Sequence, residues 1–150
     1  MTTHTIIKKV AIFGEKKDLV IPLVQSMGFE IVENTLDIDS VITIGGDGTI
    51  VRSEHFFPNI PKIVLKNSGI CKKCNKVSNE ETLLKIKNGD YTKEILTKLE
   101  VTHNGETLSG IDTILIHNHD PRTAIRYSLK IDDIHYREII IGDGFIVSTP

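Results

Sequence analysis

The sequence predicts an α/β N-terminal domain over residues 1–92, a parallel sheet with flanking helices. It is followed by the opening of an incomplete antiparallel β-domain over residues 93–150. Three observations predict this. As far as about residue 92, short apolar runs alternate with segments of helical spacing, the pattern of βα units. Beyond that point β-rich stretches recur about every ten residues with turn signals between them. The chain also holds 24 isoleucines and no tryptophan, a bias toward β-branched residues that favours strands. A length of 150 residues suits one ordinary domain or two small ones and permits a core without staples.

Taken in order, Lys9–Phe13 (KVAIF) is a short apolar run ending at Gly14, a buried strand. Leu19, Val20, Leu23, Val24 and Met27 follow at helical spacing, with Gly28 as the stop. Pro22 requires that helix to begin late or to kink. Phe29–Val32, Val41–Ile44 and Lys62–Leu65 are further strands, and a helix over Ile50–Phe57 is closed by Pro58. Ser78-Asn79-Glu80-Glu81 is a capping box leading into Leu83, Leu84 and Ile86, with Gly89 as terminator. In the second part Ile95–His103, Ile111–His117, Ile125–Ile131, Glu138–Ile141 and Phe145–Thr149 read as strands. Asn104-Gly105, Asp120-Pro121, Asp132-Asp133 and Gly142-Asp143-Gly144 read as turns between them. Those strands have no closing partners, so an unpaired edge is expected.

Apolar residues at 39% and charged residues at 25% are a globular balance. With 18 basic and 20 acidic residues and a formal charge of −2, sequence-independent nucleic-acid binding is not expected, because it needs a basic excess. No apolar run approaches the length of a membrane span, and Met1–Thr5 has no signal layout. The expectation is a cytoplasmic protein with no membrane partner.

The chemistry concentrates in Val41–Thr49, VITIGGDGT, where three glycines and an aspartate follow a buried strand. Ligands bind at that end of open α/β sheets. Glycines there let backbone amides approach phosphate oxygens, and a helix starting near Thr49 adds its positive end. A carboxylate repels phosphate, so Asp47 needs another task. It can take or orient the proton of an acceptor hydroxyl, or hold the Mg²⁺ that travels with nucleotide phosphates. No GK[ST] follows, which excludes a Walker loop.

GGDGT after its strand resembles the signature of NAD kinases, of diacylglycerol and sphingosine kinases and, as GGDG, of phosphofructokinases. A second string, Gly142–Pro150 (GDGFIVSTP), resembles the NAD kinase stretch DG-(L/F)-I-(I/V)-S-T-P, and the Asn-x-Gly loop of Asn67 and Gly69 lies between the two in the family's order. The PxGTGND-like segment of the lipid kinases is missing. The resemblance spans residues 8–150. It implies transfer of a phosphoryl group from ATP·Mg²⁺, or polyphosphate in some members, to the adenosine 2′-hydroxyl of NAD, giving NADP. It also implies an α/β domain and a β-sandwich domain with the site between them, and a homo-oligomer. Residue by residue, it places Asp47 as general base, Gly45, Gly46, Gly48 and Thr49 as the phosphate loop, and Arg52 as the phosphate-facing cation. Asn67, Asp112, Thr113 and Asp143 take ATP- or NAD-binding positions. No protein-held metal site is expected.

Three features depart from the family. Its Asn-Glu/Asp pair is Asp112-Thr113 here, and Asp accepts but does not donate. Its GINxGxxGFL loop is LKNSGICKKC, with Lys72-Lys73 where Gly-Phe stands in the family. Its TGSTAY continuation does not follow Pro150, so a truncated or diverged member is expected. A non-catalytic nucleotide-binding fragment or pseudo-enzyme lacking the C-terminal part of the NAD site, or another GGDGT kinase acting on a lipid or small-molecule hydroxyl, are the alternatives. Cys71 and Cys74, flanked by lysines that would lower a thiol pKa, are expected to stay unpaired in a reducing cytoplasm. His117 and His119, on one strand face, and Arg122 and Arg126 are expected mostly in solvent.

Overall fold

A computed structural model describes residues 6–33 and 35–149. Met1–Thr5, read above for a leader, and Pro150, the end of the STP string, lie outside the described residues. The chain divides into two compact units, Met1–Ile95 and Leu96–Pro150.

The first unit is built on four parallel strands. β1 (Lys9–Phe13), β2 (Glu30–Ile31), β3 (Ser40–Gly45) and β4 (Lys62–Lys66) lie in the order β2-β1-β3-β4. Val10 stands beside Ser40 and Ile31, and Ile42 beside Ile63. Among the described residues three α-helices serve the sheet: α1 (Ile21–Ser26), α2 (Asp47–Phe56) and α3 (Asn79–Lys87). Val10, Ile42 and Leu65 from the strands close on Val24 of α1 and Leu83 of α3, and all five are fully buried. Burying side chains of that size contributes roughly 1.5–3 kcal/mol each.

Local chemistry sets the helix boundaries. Pro22 sits in the first turn of α1, where its missing N–H costs nothing, so the helix begins late as its sequence requires. The Ser78 hydroxyl accepts the Glu81 amide at 3.1 Å and caps α3. At the far end of α2 the Lys62 ammonium donates to Glu54 and to the Ile60 carbonyl, 2.7 Å. Polar groups inside the sheet are satisfied: Ser40 donates to the Pro61 carbonyl at 2.8 Å, and Thr43 to the Ile63 carbonyl at 3.5 Å.

The second unit is antiparallel, as expected. A hairpin joins β5 (Leu99–His103) to β6 (Glu106–Gly110) through Asn104 and Gly105, both at positive φ. Another joins β8 (Ile125–Ile131) to β9 (Ile134–Gly142) through Asp132 and Asp133, also both at positive φ. Such pairs fit the tight primed turns that match strand twist. β7 (Thr113–His117) pairs with β10 (Gly144–Ser148), and the Tyr127 and Phe145 rings pack with centroids 4.8 Å apart at a tilt of 37°. No described residue of this unit is fully enclosed, and Leu108, Ile139, Ile141 and Ile146 remain largely exposed.

Several boundaries differ from the sequence reading. Gly142-Asp143-Gly144 is not a hairpin turn, because β9 pairs with β8 whereas β10 pairs with β7. The β6 strand was not anticipated, because ETLSG carries little apolar signal. Residues 95–98, expected as the start of a strand, precede β5 without regular structure. The second helix begins at Asp47 rather than near Thr49 or Ile50.

Candidate active site

Chain topology puts a crevice at one end of the first sheet. From β1 the chain moves to β2 on one side, then to β3 on the other, so β1 and β3 flank a switch point. Loops leaving the carboxyl ends of two such strands diverge and leave a space that ligands fill. A cavity of about 430 Å³ lies there. The segment Phe13–Lys17 after β1 forms one wall, and Gly45, Thr49 and Arg52 form another. Asn67, just past β4, completes it, and its amide donates to the Gly45 carbonyl at 3.2 Å.

Two glycines make this close approach possible. Gly14 has φ +138°, and a Cβ on it would stand 2.3 Å from the Ile44 carbonyl oxygen. A Cβ on Gly45 would stand 2.1 Å from Thr49 Oγ1. Gly46 caps α2 in an extended conformation without a side-chain cap. A Cβ on Gly48 would meet nothing within 4 Å, and neither Gly46 nor Gly48 lines the cavity.

Lys16, Lys17 and Arg52 bring positive charge to the cavity, with Glu15 beside them. Arg52 Nη1 lies 3.8 Å from Glu15 Oε1, and both side chains are exposed. A solvated pair at that distance is weak and leaves the guanidinium able to turn to a phosphate. Of these residues the sequence reading singled out Arg52 alone. Lys16 and Lys17 carry no motif, and parallel β1–β3 pairing is what sets them beside the glycine loop.

Asp47 does not line the cavity. As the first residue of α2, its carboxylate gains from the positive helix end and faces the loop of residues 71–73. Oδ2 accepts the Lys72 amide at 2.9 Å, and Oδ1 accepts the Lys73 amide at 2.8 Å. Those two amides hold the carboxyl below its ordinary range, the Lys72 bond contributing most. Cys71 and Cys74 are joined in a disulfide, which corrects the expectation that they stay unpaired. The two cysteines are only three residues apart, so a short bend brings the sulfurs together. Cys71 Sγ rests 3.2 Å from Asp47 Oδ1, and Cys74 Sγ 3.6 Å from the Gly45 carbonyl oxygen. Sulfurs in a disulfide have no proton to donate, so these are packing contacts. Asn75, not singled out in the sequence, and Asn79, named there only within the capping box, dock this segment on β4. Asn79 accepts the Lys66 amide at 2.8 Å and donates to the Lys66 carbonyl at 2.9 Å, and Asn75 donates to the Val64 carbonyl at 3.2 Å.

The first unit therefore gathers Gly45, Gly46, Asp47, Gly48, Thr49, Arg52 and Asn67. Asp112, Thr113 and Asp143 belong to the second unit, where the β7–β10 ladder separates them. Thr113 stands opposite Ser148 and Gly144 opposite His117, so Thr113 and Gly144 lie at opposite ends of the ladder, roughly 13 Å apart along the strands, and Asp143 lies one residue beyond Gly144. The Asp112 carbonyl accepts the Thr149 amide at 3.0 Å. Arg122 pairs with Asp120 through Nη2 at 2.8 Å in solvent. Among the described residues no group of three or more His, Cys, Asp or Glu side chains is placed to hold a metal ion. Nor is any helix long and apolar enough to cross a membrane.

No family model matches the chain. It is 35% identical over 124 residues to an NAD kinase of Saccharolobus solfataricus, covering 83% of this chain and 48% of that protein. It is 30% identical over 135 residues to an NAD kinase of Methanothermobacter thermautotrophicus, covering 87% and 46%. Among solved structures, an Archaeoglobus fulgidus NAD kinase in complex with ATP superposes with a TM-score of 0.73 at 16% identity, over 95% of this chain and 60% of that one. A yeast NADH kinase complexed with NADH superposes with a TM-score of 0.74 at 12% identity, over 96% and 58%. The chain spans about half the length of the curated relatives it matches. By sequence over most of its length, and by fold over nearly all of it, the chain is related to the NAD kinases.

Proposed function

We propose that the protein transfers a phosphoryl group from ATP·Mg²⁺ to the adenosine 2′-hydroxyl of NAD, giving NADP. The observation that carries this reading is the basic, glycine-walled cavity at the β1–β3 switch point, beside an aspartate at the head of α2. Relatives named NAD kinase supply the acceptor. Lys16, Lys17 and Arg52 would meet the phosphate charge, while Gly45, Gly46, Gly48 and Thr49 let the backbone approach it. Mg²⁺ enters with ATP as part of the substrate and neutralises charge that builds on the phosphate oxygens.

Asp47 is assigned the acceptor hydroxyl. Because phosphoryl transfer runs through a loose transition state, the nucleophile needs orienting more than early deprotonation. A carboxylate held below its ordinary pKa is a weak base, but it stays ionised and so keeps lone pairs free to orient the hydroxyl. As the hydroxyl oxygen bonds to phosphorus, its proton passes to the carboxylate and ADP leaves. Asn67, Asp112, Thr113 and Asp143 are assigned to nucleotide binding on the strength of the motif resemblance.

Incubation of the chain with NAD, ATP and Mg²⁺, with polyphosphate as a second donor, tests this through NADP⁺ formation. One observation favours a second reading: the chain spans about half the length of its relatives. A nucleotide-binding piece completed by another segment would bind ATP without turnover, and that outcome would replace the first reading.

A further inference from the structure

We propose that the Cys71–Cys74 disulfide is a reversible redox clamp on Asp47: closed, it aims the Lys72 and Lys73 amides at the carboxylate, and its reduction releases them. Three contacts converge on this assignment. Both amides that bind Asp47 lie inside the ring the disulfide closes, at 2.9 and 2.8 Å from the two carboxylate oxygens. One sulfur rests on Asp47 Oδ1 and the other on the Gly45 carbonyl. Lys72 and Lys73 are exposed and the two cysteines only partly covered, so a reductant can reach the bond.

Two free thiols cannot stand at bonding distance, so breaking the bond widens the loop and moves the amides it carries. The step balances with a dithiol as reductant. One of its thiolates attacks a cysteine sulfur to give a mixed disulfide, and its second thiol displaces the remaining protein thiolate. Two electrons and two protons pass to Cys71 and Cys74, and the reductant leaves as its own disulfide. Lysines beside a Cys-x-x-Cys pair favour the thiolate needed for the return reaction. Cys71 and Cys74 are thus positioning residues, acting through the loop amides. An effect on turnover rests on the role assigned to Asp47 above, whereas the clamp itself does not.

The test reads the clamp without turnover. Amide hydrogen exchange at Lys72 and Lys73 is followed by NMR in oxidised protein, in protein reduced with dithiothreitol, and in Cys71→Ser. Exchange severalfold faster in the reduced protein and in Cys71→Ser, reversed in the wild type by oxidised glutathione, is expected. In a glutathione redox buffer, Asp47→Asn is expected to shift the disulfide-to-dithiol ratio severalfold toward dithiol, because the closed loop loses its charged acceptor. Equal exchange in the oxidised and reduced protein, or the same ratio in Asp47→Asn and wild type, overturns the proposal.

Discussion

The Lys73 amide donates to Asp47 Oδ1 at 2.8 Å across 26 residues of chain. This bond joins the head of α2 to the loop beyond β4, so the acid assigned to the acceptor hydroxyl is held by main chain. A carboxylate fixed in that way has few orientations to lose when substrate arrives. Such preorganisation makes positioning effective in phosphoryl transfer.

Gly14 and Gly48 separate glycine needed for shape from glycine left open. At Gly14 a side chain meets both a positive φ and a backbone oxygen at 2.3 Å. Gly14→Ala is expected to lower stability by roughly 2–3 kcal/mol and to weaken ATP binding. At Gly48, inside α2 and with nothing within 4 Å, Gly48→Ala is expected to be neutral or to stabilise by up to about 1 kcal/mol. Urea denaturation of the two variants beside the wild type checks both, and equal losses would refute the distinction.

Ser78 tests the cap of α3. Its hydroxyl accepts the Glu81 amide at 3.1 Å, with Leu83 fully buried one turn on. Ser78→Ala is expected to cost about 1 kcal/mol, and Ser78→Asp to restore most of it. The denaturation midpoints of the two variants measure this directly.

Asp39 predicts a pH dependence. Its carboxylate accepts the Lys8 and Lys9 amides, each at 2.8 Å. Those bonds, the Lys9 bond first, hold it below its ordinary value of 3.8. A depressed folded-state pKa contributes stability above the unfolded value, and that contribution is lost as pH falls through the folded value. Between neutral pH and about pH 5 the Asp39 contribution is therefore flat, and it declines only in stronger acid. Asp39→Asn is expected to make the acid limb shallower, measured as denaturation midpoints across a pH series. An unchanged acid limb would contradict the assignment.

The legible parts of the fold were those with a local cause. KVAIF and VITIG are apolar runs long enough for buried strands, and β1 and β3 form there. Ser78-Asn79-Glu80-Glu81 announces α3, and Asn104-Gly105 its hairpin. What stayed hidden was non-local. Asp47 is held by backbone amides, and a backbone donor has no residue-type signature in sequence. Lys16 and Lys17 read as ordinary surface lysines until the strand order places them at the crevice. Gly142-Asp143-Gly144 has the composition of a hairpin turn, yet partner choice between distant strands overrides it. The glycine loop itself was legible because glycine and aspartate directly after a buried strand are a chemical statement as well as a conformational one.

The central claim is that Asp47 serves the acceptor hydroxyl in NAD phosphorylation, and one comparison tests it most directly. NADP⁺ formation and ATP affinity are measured for the wild type and Asp47→Asn in the same NAD, ATP and Mg²⁺ mixture. The account predicts a loss of turnover of about 10²–10⁴-fold with ATP affinity within a few-fold of wild type. Turnover by Asp47→Asn at close to the wild-type rate would contradict it.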